Sequence, residues 1–155
     1  MLQVKTKIGP SDIHGIGLFA DQFIPGGALI WKFTPGFDQR MTRAQIVELP
    51  TSAHIYLAKY AFLSKKSGLY ILETDNGRYC NHSDNPNAIC QYTNDEEECI
   101  SFAAKEISEG EEITENYSQF EQDRNDNNIL EYFFVKYGLK DEVDPRLKNI
   151  KTKSS

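Results

Sequence analysis

Ten residues, Arg78 to Asn87, read Arg-Tyr-Cys-Asn-His-Ser-Asp-Asn-Pro-Asn and carry three asparagines, a histidine, an aspartate and a serine. Side chains of this kind compete with the backbone for its own donors and acceptors, so the segment predicts a shaped loop instead of a helix or a sheet ladder. A second stretch, Glu111-Glu112-Ile113-Thr114-Glu115-Asn116-Tyr117, sets three carboxylates before a tyrosine. Glu111 and Glu112 are neighbours on a predicted strand and point to opposite faces, which rules out the opposed carboxylate pair of a glycosidase. A third stretch, His14-Gly15-Ile16-Gly17-Leu18-Phe19-Ala20, places two glycines around one apolar residue and runs into a hydrophobic strand. No helix signal follows it, so it is not a dinucleotide-binding βαβ unit; the backbone approaches something closely from a β context.

The other candidate chemistries fall away on spacing. His14 and His54 lie in contexts unrelated to His82, and no HxxxH or Cys/His grouping exists, so His82 reads as a hydrogen-bonding loop residue and not as a metal ligand. Cys80, Cys90 and Cys99 are odd in number and form no CxxC pair, from which neither a zinc site nor a disulfide framework follows.

The elements that position these stretches are mostly strands. Residues 2 to 8 alternate, Phe23 to Trp31 reads as strand, Pro-Gly-Gly turn, strand, and Leu69 to Leu72 is a strand leading through the Asn76-Gly77 turn into the Asn/His loop. Ala88 to Tyr92 and Cys99 to Ala104 predict two strands joined by the charged hairpin Asn94 to Glu98. Thr42 with Gln45 is a capping box for a short helix that Pro50 ends, and residues 53 to 63 fit either a helix or a strand, their aromatics favouring strand or irregular structure. Asn128, with Glu131 at its third position and Gly138 at the end, brackets the best-marked helix, which carries Tyr132, Phe133, Phe134 and Tyr137.

At 155 residues and 39% hydrophobic content the chain is a single domain able to bury roughly 70% of its unfolded surface. Neither a charged-then-apolar leader nor an apolar run near the roughly 20 residues of a membrane span is visible, and the expectation is a soluble intracellular protein, cytoplasmic or, in a eukaryotic setting, nuclear. The net charge of −6 is uneven: twelve acidic residues fall between Asp95 and Asp126 against Lys105 and Arg124 alone. Such an acidic face disfavours nucleic acid and favours a basic partner.

Taken together, the GxG turn opening a hairpin, the Arg-aromatic-x-Asn-His-Ser-x-x-Pro-Asn loop and the Gly-Glu-Glu-Ile-Thr-x-Asn-Tyr strand resemble the SET-domain protein lysine methyltransferases, from about residue 4 to about residue 138. The resemblance implies a mainly β fold with few short helices, built from several small antiparallel sheets with a pseudoknot-like C-terminal crossing that brings Asn81-His82 next to Tyr117. It implies a domain over 1–138, with 126–138 as a capping helix and 139–155 as a tail. The activity implied is methyl transfer from S-adenosylmethionine to the ε-amine of lysine in a basic protein or peptide, of which histones are one class. The alternative is a catalytically inactive SET-like module that binds peptide or cofactor.

Carried onto this sequence, Tyr117 matches the active-site tyrosine, and Tyr70 resembles the second tyrosine of the lysine channel, with Tyr56 and Tyr60 as rivals. Gly15, Ile16, Gly17, Asn81 and His82 would hold the cofactor, with Arg78 facing either its carboxylate or a nearby acid. No Cys cluster follows Tyr117, so no zinc is expected, and the last helix with Phe133 and Phe134 stands in for the zinc-bound cap over the cofactor. Glu115 replaces an aromatic residue that in many relatives limits how many methyl groups fit. Minimal relatives also suggest pairing into a homodimer.

Overall fold

Gly15 closes the first hairpin. Its φ of +50° lies in the left-handed region that side chains resist, and the turn joins β1 (Thr6–Pro10) to β2 (Ile16–Ala20) in antiparallel register, Pro10 opposite Ile16 and Thr6 opposite Ala20. The computed structural model describes residues 1–123, 125 and 127–139. Within them the chain continues through β3 (Leu29–Trp31), β4 (Gln39–Met41), α1 (Arg43–Val47), α2 (Thr51–Tyr60), β5 (Ala61–Leu63) and β6 (Tyr70–Leu72). It ends through β7 (Asn81–His82), β8 (Ala88–Gln91), β9 (Ile100–Ala103), β10 (Thr114–Glu115) and α3 (Ile129–Lys136). The result is mostly β: two three-stranded antiparallel sheets, ordered β3-β9-β8 and β4-β6-β5, the β1-β2 hairpin, and a parallel pair β7-β10.

Two cores lie under these sheets. Leu18, Ile24, Trp31, Ile71, Ile107 and Ile113 fill the first, between the β1-β2 and β3-β9-β8 layers. Ile46, Leu57, Leu130, Phe133 and Phe134 fill the second, where α2 meets α3. Leu139 is buried there too, so the packed unit extends one residue beyond the expected boundary at 138, and the rest of the expected tail lies outside the described residues.

Local signals account for several elements. Thr42 and Gln45 form the reciprocal capping box of α1, and Asn128 caps α3 by accepting from the Leu130 N–H. Three expectations need correction. Residues 51–60 are helical, because His54, Leu57 and Ala58 recur at helical spacing and bury against α3; the exposed or half-exposed Tyr56 and Tyr60, which look strand-like, stack on each other one turn apart at 4.8 Å. Phe23 to Trp31 is no hairpin: Ile24 bridges Ile107 while β3 pairs with β9, so the two halves serve different partners. Cys90 and Cys99 are joined, their Cα atoms 5.7 Å apart, because the β8-β9 register brings the ends of that hairpin together, a proximity that cysteine spacing alone does not show.

Tyr70 ties the two sides of the second core. It is 4% exposed, and its hydroxyl oxygen accepts from the Ile129 N–H at the start of α3, one of the donors a helix N-terminus leaves without an internal partner. Removing that acceptor strands a buried donor, at about 1–3 kcal/mol. Tyr70→Phe should therefore lower the melting temperature in calorimetry, by about 2–4 °C per kcal/mol for a chain of this size, while leaving ligand binding elsewhere unchanged.

Candidate active site

The site begins with four residues. Thr114 and Glu115 of β10 lie in parallel register with Asn81 and His82 of β7. A parallel pair needs a long connection, and here it runs through β8 and β9. So short a ladder is held by side chains: Asn87 Oδ1 accepts from the Thr114 N–H at 2.9 Å, and its Nδ2 donates to the Glu112 carbonyl at 2.8 Å and to Glu111 Oε1 at 3.1 Å. The Ser83 N–H adds a bond to the Glu115 carbonyl at 2.9 Å. The Ser108 N–H and Asn87 together hold the Glu111 carboxyl below its usual range.

This crossing fixes the three sequence motifs against one another. The Asn81 amide nitrogen lies 2.8 Å from Glu112 Oε1, 3.1 Å from the His14 carbonyl and 3.3 Å from the Ile16 carbonyl, so it braces the glycine turn from below. Ser11 Oγ donates to the same carboxylate at 2.8 Å. Gly17 is required by this approach, since a Cβ there would collide with the Glu112 carboxylate. Ile16 remains 47% exposed, so the turn presents its backbone outward.

Tyr117 follows β10 on a short 3-10 turn, Tyr117–Gln119, which Asn116 caps by accepting from the Ser118 N–H. Its hydroxyl donates to the Cys80 carbonyl at 2.5 Å, one residue from Asn81, and its ring packs edgewise on His82 at 5.3 Å. His82 Nδ1 accepts from the Tyr117 N–H at 3.3 Å, which leaves Nε2 protonated to face Asp84 at 3.3 Å. The phenol thus directs its proton to the Cys80 carbonyl.

Tyr117 lines a cleft with room of about 60 Å³, partly open to solvent, with Tyr60, Phe62 and Phe120 as further aromatic walls and Glu73, Glu115 and Glu121 among its polar ones. Of the rival tyrosines, Tyr60 reaches this cleft; Tyr70 does not line it and is committed beneath α3. Phe133 and Phe134, expected over the cofactor, are 2% and 4% exposed in the second core, where Phe133 stacks on His54 at 4.0 Å and leaves no surface to cover a ligand. Arg78 lines the same cleft. It donates to the Thr74 and Asp75 carbonyls at 3.0 and 2.7 Å and lies over the Tyr79 ring. Among the described residues no group of three or more His, Cys, Asp or Glu side chains is arranged to hold a metal ion, and no helix is long and apolar enough to cross a membrane.

Several wall residues escape sequence reasoning. Phe62 and Phe120 come from unrelated segments, and Glu73 follows β6 with no motif around it. Glu73 is pushed well above the ordinary carboxyl range by burial and then by repulsion from Glu115, Asp75 and Asp38, with the N-terminal ammonium opposing. Burial likewise raises Glu115, against the lowering effect of its hydrogen bond from Ser101 Oγ, and raises the Cys80 thiol beside both. A carboxyl whose folded pKa is raised binds its proton more tightly folded than unfolded. Its stabilising contribution is full below the unfolded value and is lost as pH rises through the folded one. Glu73→Gln should accordingly flatten the fall in melting temperature expected of the wild type as pH rises from about 5 upward, as thermal melts across pH would register.

Comparison with known proteins places the chain. A SET domain profile matches residues 15–118. A Candida albicans histone-lysine N-methyltransferase, H3 lysine-36 specific, is 30% identical over 120 residues; the match covers 74% of this chain but 14% of that protein, so the chain spans a small part of its relative's length. A humanized mutant of the Chaetomium thermophilum Polycomb Repressive Complex 2 contains a chain that superposes with a TM-score of 0.56 at 25% identity, covering 81% of this chain and 16% of the other. A Plasmodium falciparum protein named for histone methyl transfer superposes with a TM-score of 0.53 at 23% identity, covering 75% of this chain and 95% of the other, which speaks to the fold. With its profile spanning most of the chain and its glycine turn, Asn/His loop and tyrosine strand knotted together at β7 and β10, this protein belongs to the SET-domain family.

Proposed function

We propose that this chain transfers methyl groups from S-adenosylmethionine to the ε-amine of a lysine in a basic protein. The observation that carries the reading is the convergence of the Tyr117 hydroxyl on the Cys80 carbonyl, beside Asn81, at the wall of an aromatic cleft with carboxylates.

The residues present suit such a cofactor. The glycine turn offers backbone that Asn81 and Glu112 hold open, and a side chain on Gly15 would meet nothing within 4 Å, so there is room beside it. Gly15, Ile16 and Gly17 with Asn81 and His82 would hold the group, and the carboxylates nearby favour its positive charge. Phe133 and Phe134 are buried in the second core and take no part. When bound, S-adenosylmethionine supplies an electrophilic methyl carbon on a cationic sulfur.

The chain's own residues must deliver a neutral amine in line with that carbon. Deprotonating a free lysine at neutral pH costs about 4–5 kcal/mol, and enclosure between aromatic rings lowers the cost by disfavouring the charged form. Tyr60, Phe62 and Phe120 exclude water from the lysine stem, while the Tyr117 oxygen, its proton given to Cys80, accepts from the amine and turns the nitrogen's lone pair toward the reacting centre. The named relatives support a histone-like substrate. Retention of both Tyr117 and Asn81 favours catalysis over the second reading, a module that binds without turnover.

Thermal shift with S-adenosylmethionine and transfer of a labelled methyl group to histone H3 and to whole-cell extract test the proposal. Cofactor at a hundredfold over its Kd should stabilise the wild type by about 2.7 kcal/mol. Tyr117→Phe should keep that shift and lose about a hundredfold or more in labelling rate, the scale for removing a preorganised polar group. Asn81→Ala, which frees the glycine turn, should lose the shift itself. Cofactor binding with no protein labelled under any condition would leave the non-catalytic reading standing.

A further inference from the structure

Beside the Tyr117 cleft lies a second, smaller cavity with room of about 20 Å³, enough for one water molecule. Phe62, Phe120, Glu73 and Glu115 wall both, so the two are contiguous. The second adds Trp31 and Glu98. Trp31 is 6% exposed, and its indole N–H, its only polar group, has no hydrogen-bond partner among the described residues. Glu98 is 2% exposed; one carboxyl oxygen accepts from Ser64 Oγ at 2.6 Å and the other has no partner among the described residues. Buried polar atoms are nearly always paired, so a cavity lined by two that are not is built around a polar occupant.

Glu115 links this cavity to the reacting end of the cleft. The parallel pairing with β7 carries it there two residues before Tyr117, and the Ser101 hydroxyl donates to its carboxylate from β9. That hydrogen bond favours the ionised form of Glu115, whereas Glu73, facing it without such help, holds its proton more tightly. Burial raises both acids, and Glu115 is the one with a hydroxyl donor that stabilises its charge.

The geometry points to Glu115 as the proton acceptor for the substrate lysine, with Glu73 on the same shared wall of the two cavities. This rests on the methyl-transfer reading and deepens it. The ammonium enters between the aromatic walls and meets the Glu115 carboxylate; one N–H bond breaks, its electron pair stays on nitrogen, and an O–H bond forms on the carboxyl. A +1 and a −1 group become two neutral ones, and the lone pair needed for methyl transfer is exposed. In water about six pH units separate the two groups. A site that disfavours charge raises the acid, lowers the amine and narrows that gap.

Other titratable groups bear on the same carboxyl. Cys80, just before β7, interacts with it, His82 of β7 is its register partner, and Glu73 and Glu98 line the cavities with it. Lys59, Arg78 and Glu121 lie on the wall of the cleft. The net surroundings are acidic, which suits a cationic visitor.

The test is methyl transfer to histone H3 from about pH 6 to about pH 10, wild type beside Glu115→Gln, with 13C NMR of labelled glutamate carboxyls titrated in the presence and absence of n-butylamine, a mimic of the lysine stem. Glu115→Gln should cut kcat at neutral pH by about 30-fold or more, rise about tenfold per pH unit and approach the wild type near the pKa of lysine, with cofactor binding unchanged. In the wild type, n-butylamine should lower the titration midpoint of the Glu115 carboxyl. Ser101→Ala should raise that midpoint and move the acid limb of the kcat profile upward with it, a readout that remains if Glu115→Gln fails to fold. Parallel profiles within about threefold across the range, or a Glu115 resonance indifferent to n-butylamine, overturn the inference. A wild type that labels no protein at all sinks the methyl-transfer reading and takes this inference with it; a labelling wild type without the pattern above overturns this inference alone.

Discussion

The structure depends on a ladder of two residues per strand. The parallel pairing of Asn81-His82 with Thr114-Glu115 is too short to hold by itself, and what makes it persist is Asn87, whose amide serves both ends of the crossing segment while the chain between the strands is occupied by β8 and β9. Asn87 is 5% exposed and Thr114 8%, so these bonds are sheltered from competing water. Buried polar networks of this kind are either satisfied throughout or costly, which makes the crossing close to all-or-none. Once it forms, Tyr117 can only fall beside Cys80.

The same segment positions the glycine turn. Glu112 precedes β10 and reaches Asn81 and Ser11, so the carboxylate that braces the turn and the tyrosine that lines the cleft belong to one short run of chain. A shift in that run would move both together. The cofactor side and the amine side of the proposed site are thus not independent assemblies, and their spacing is set by the length of the segment from Glu112 to Tyr117.

Much of this was legible in the sequence because it is carried by local chemistry. The capping residues Thr42 and Asn128, the asparagine-rich loop and the glycines of the turn announce themselves through what their side chains do to nearby backbone. What was not legible is set by tertiary contacts. The aromatics of residues 53–63 suggested strand until α3 supplied a helix-packing partner; Tyr70 and Tyr60 are chemically alike, and only the fold sends one beneath α3 and the other to the cleft. Phe133 and Phe134 were assigned to a ligand because the sequence cannot tell a covering aromatic from a core one. Glu73 carried no signal, since a lone carboxylate after a strand is ordinary until its neighbours are known.

The acidic stretch shows the same limit from the side of charge. Read as a surface, its twelve acids made a face for a basic partner, yet many of them are engaged within the chain. Glu96 and Glu97 pair with Lys32 and Arg40, Glu98 is buried against Ser64, and Glu111 and Glu112 hold Asn87, Asn81 and Ser11. Glu115 turns inward to Ser101 and the cavities. Charges inside a low-dielectric wall act far more strongly on a cation than the same charges spread over solvent. Part of the acidic charge of this chain is therefore turned inward to the wall of the cleft, and less of it stays on the broad surface, where salt would screen it.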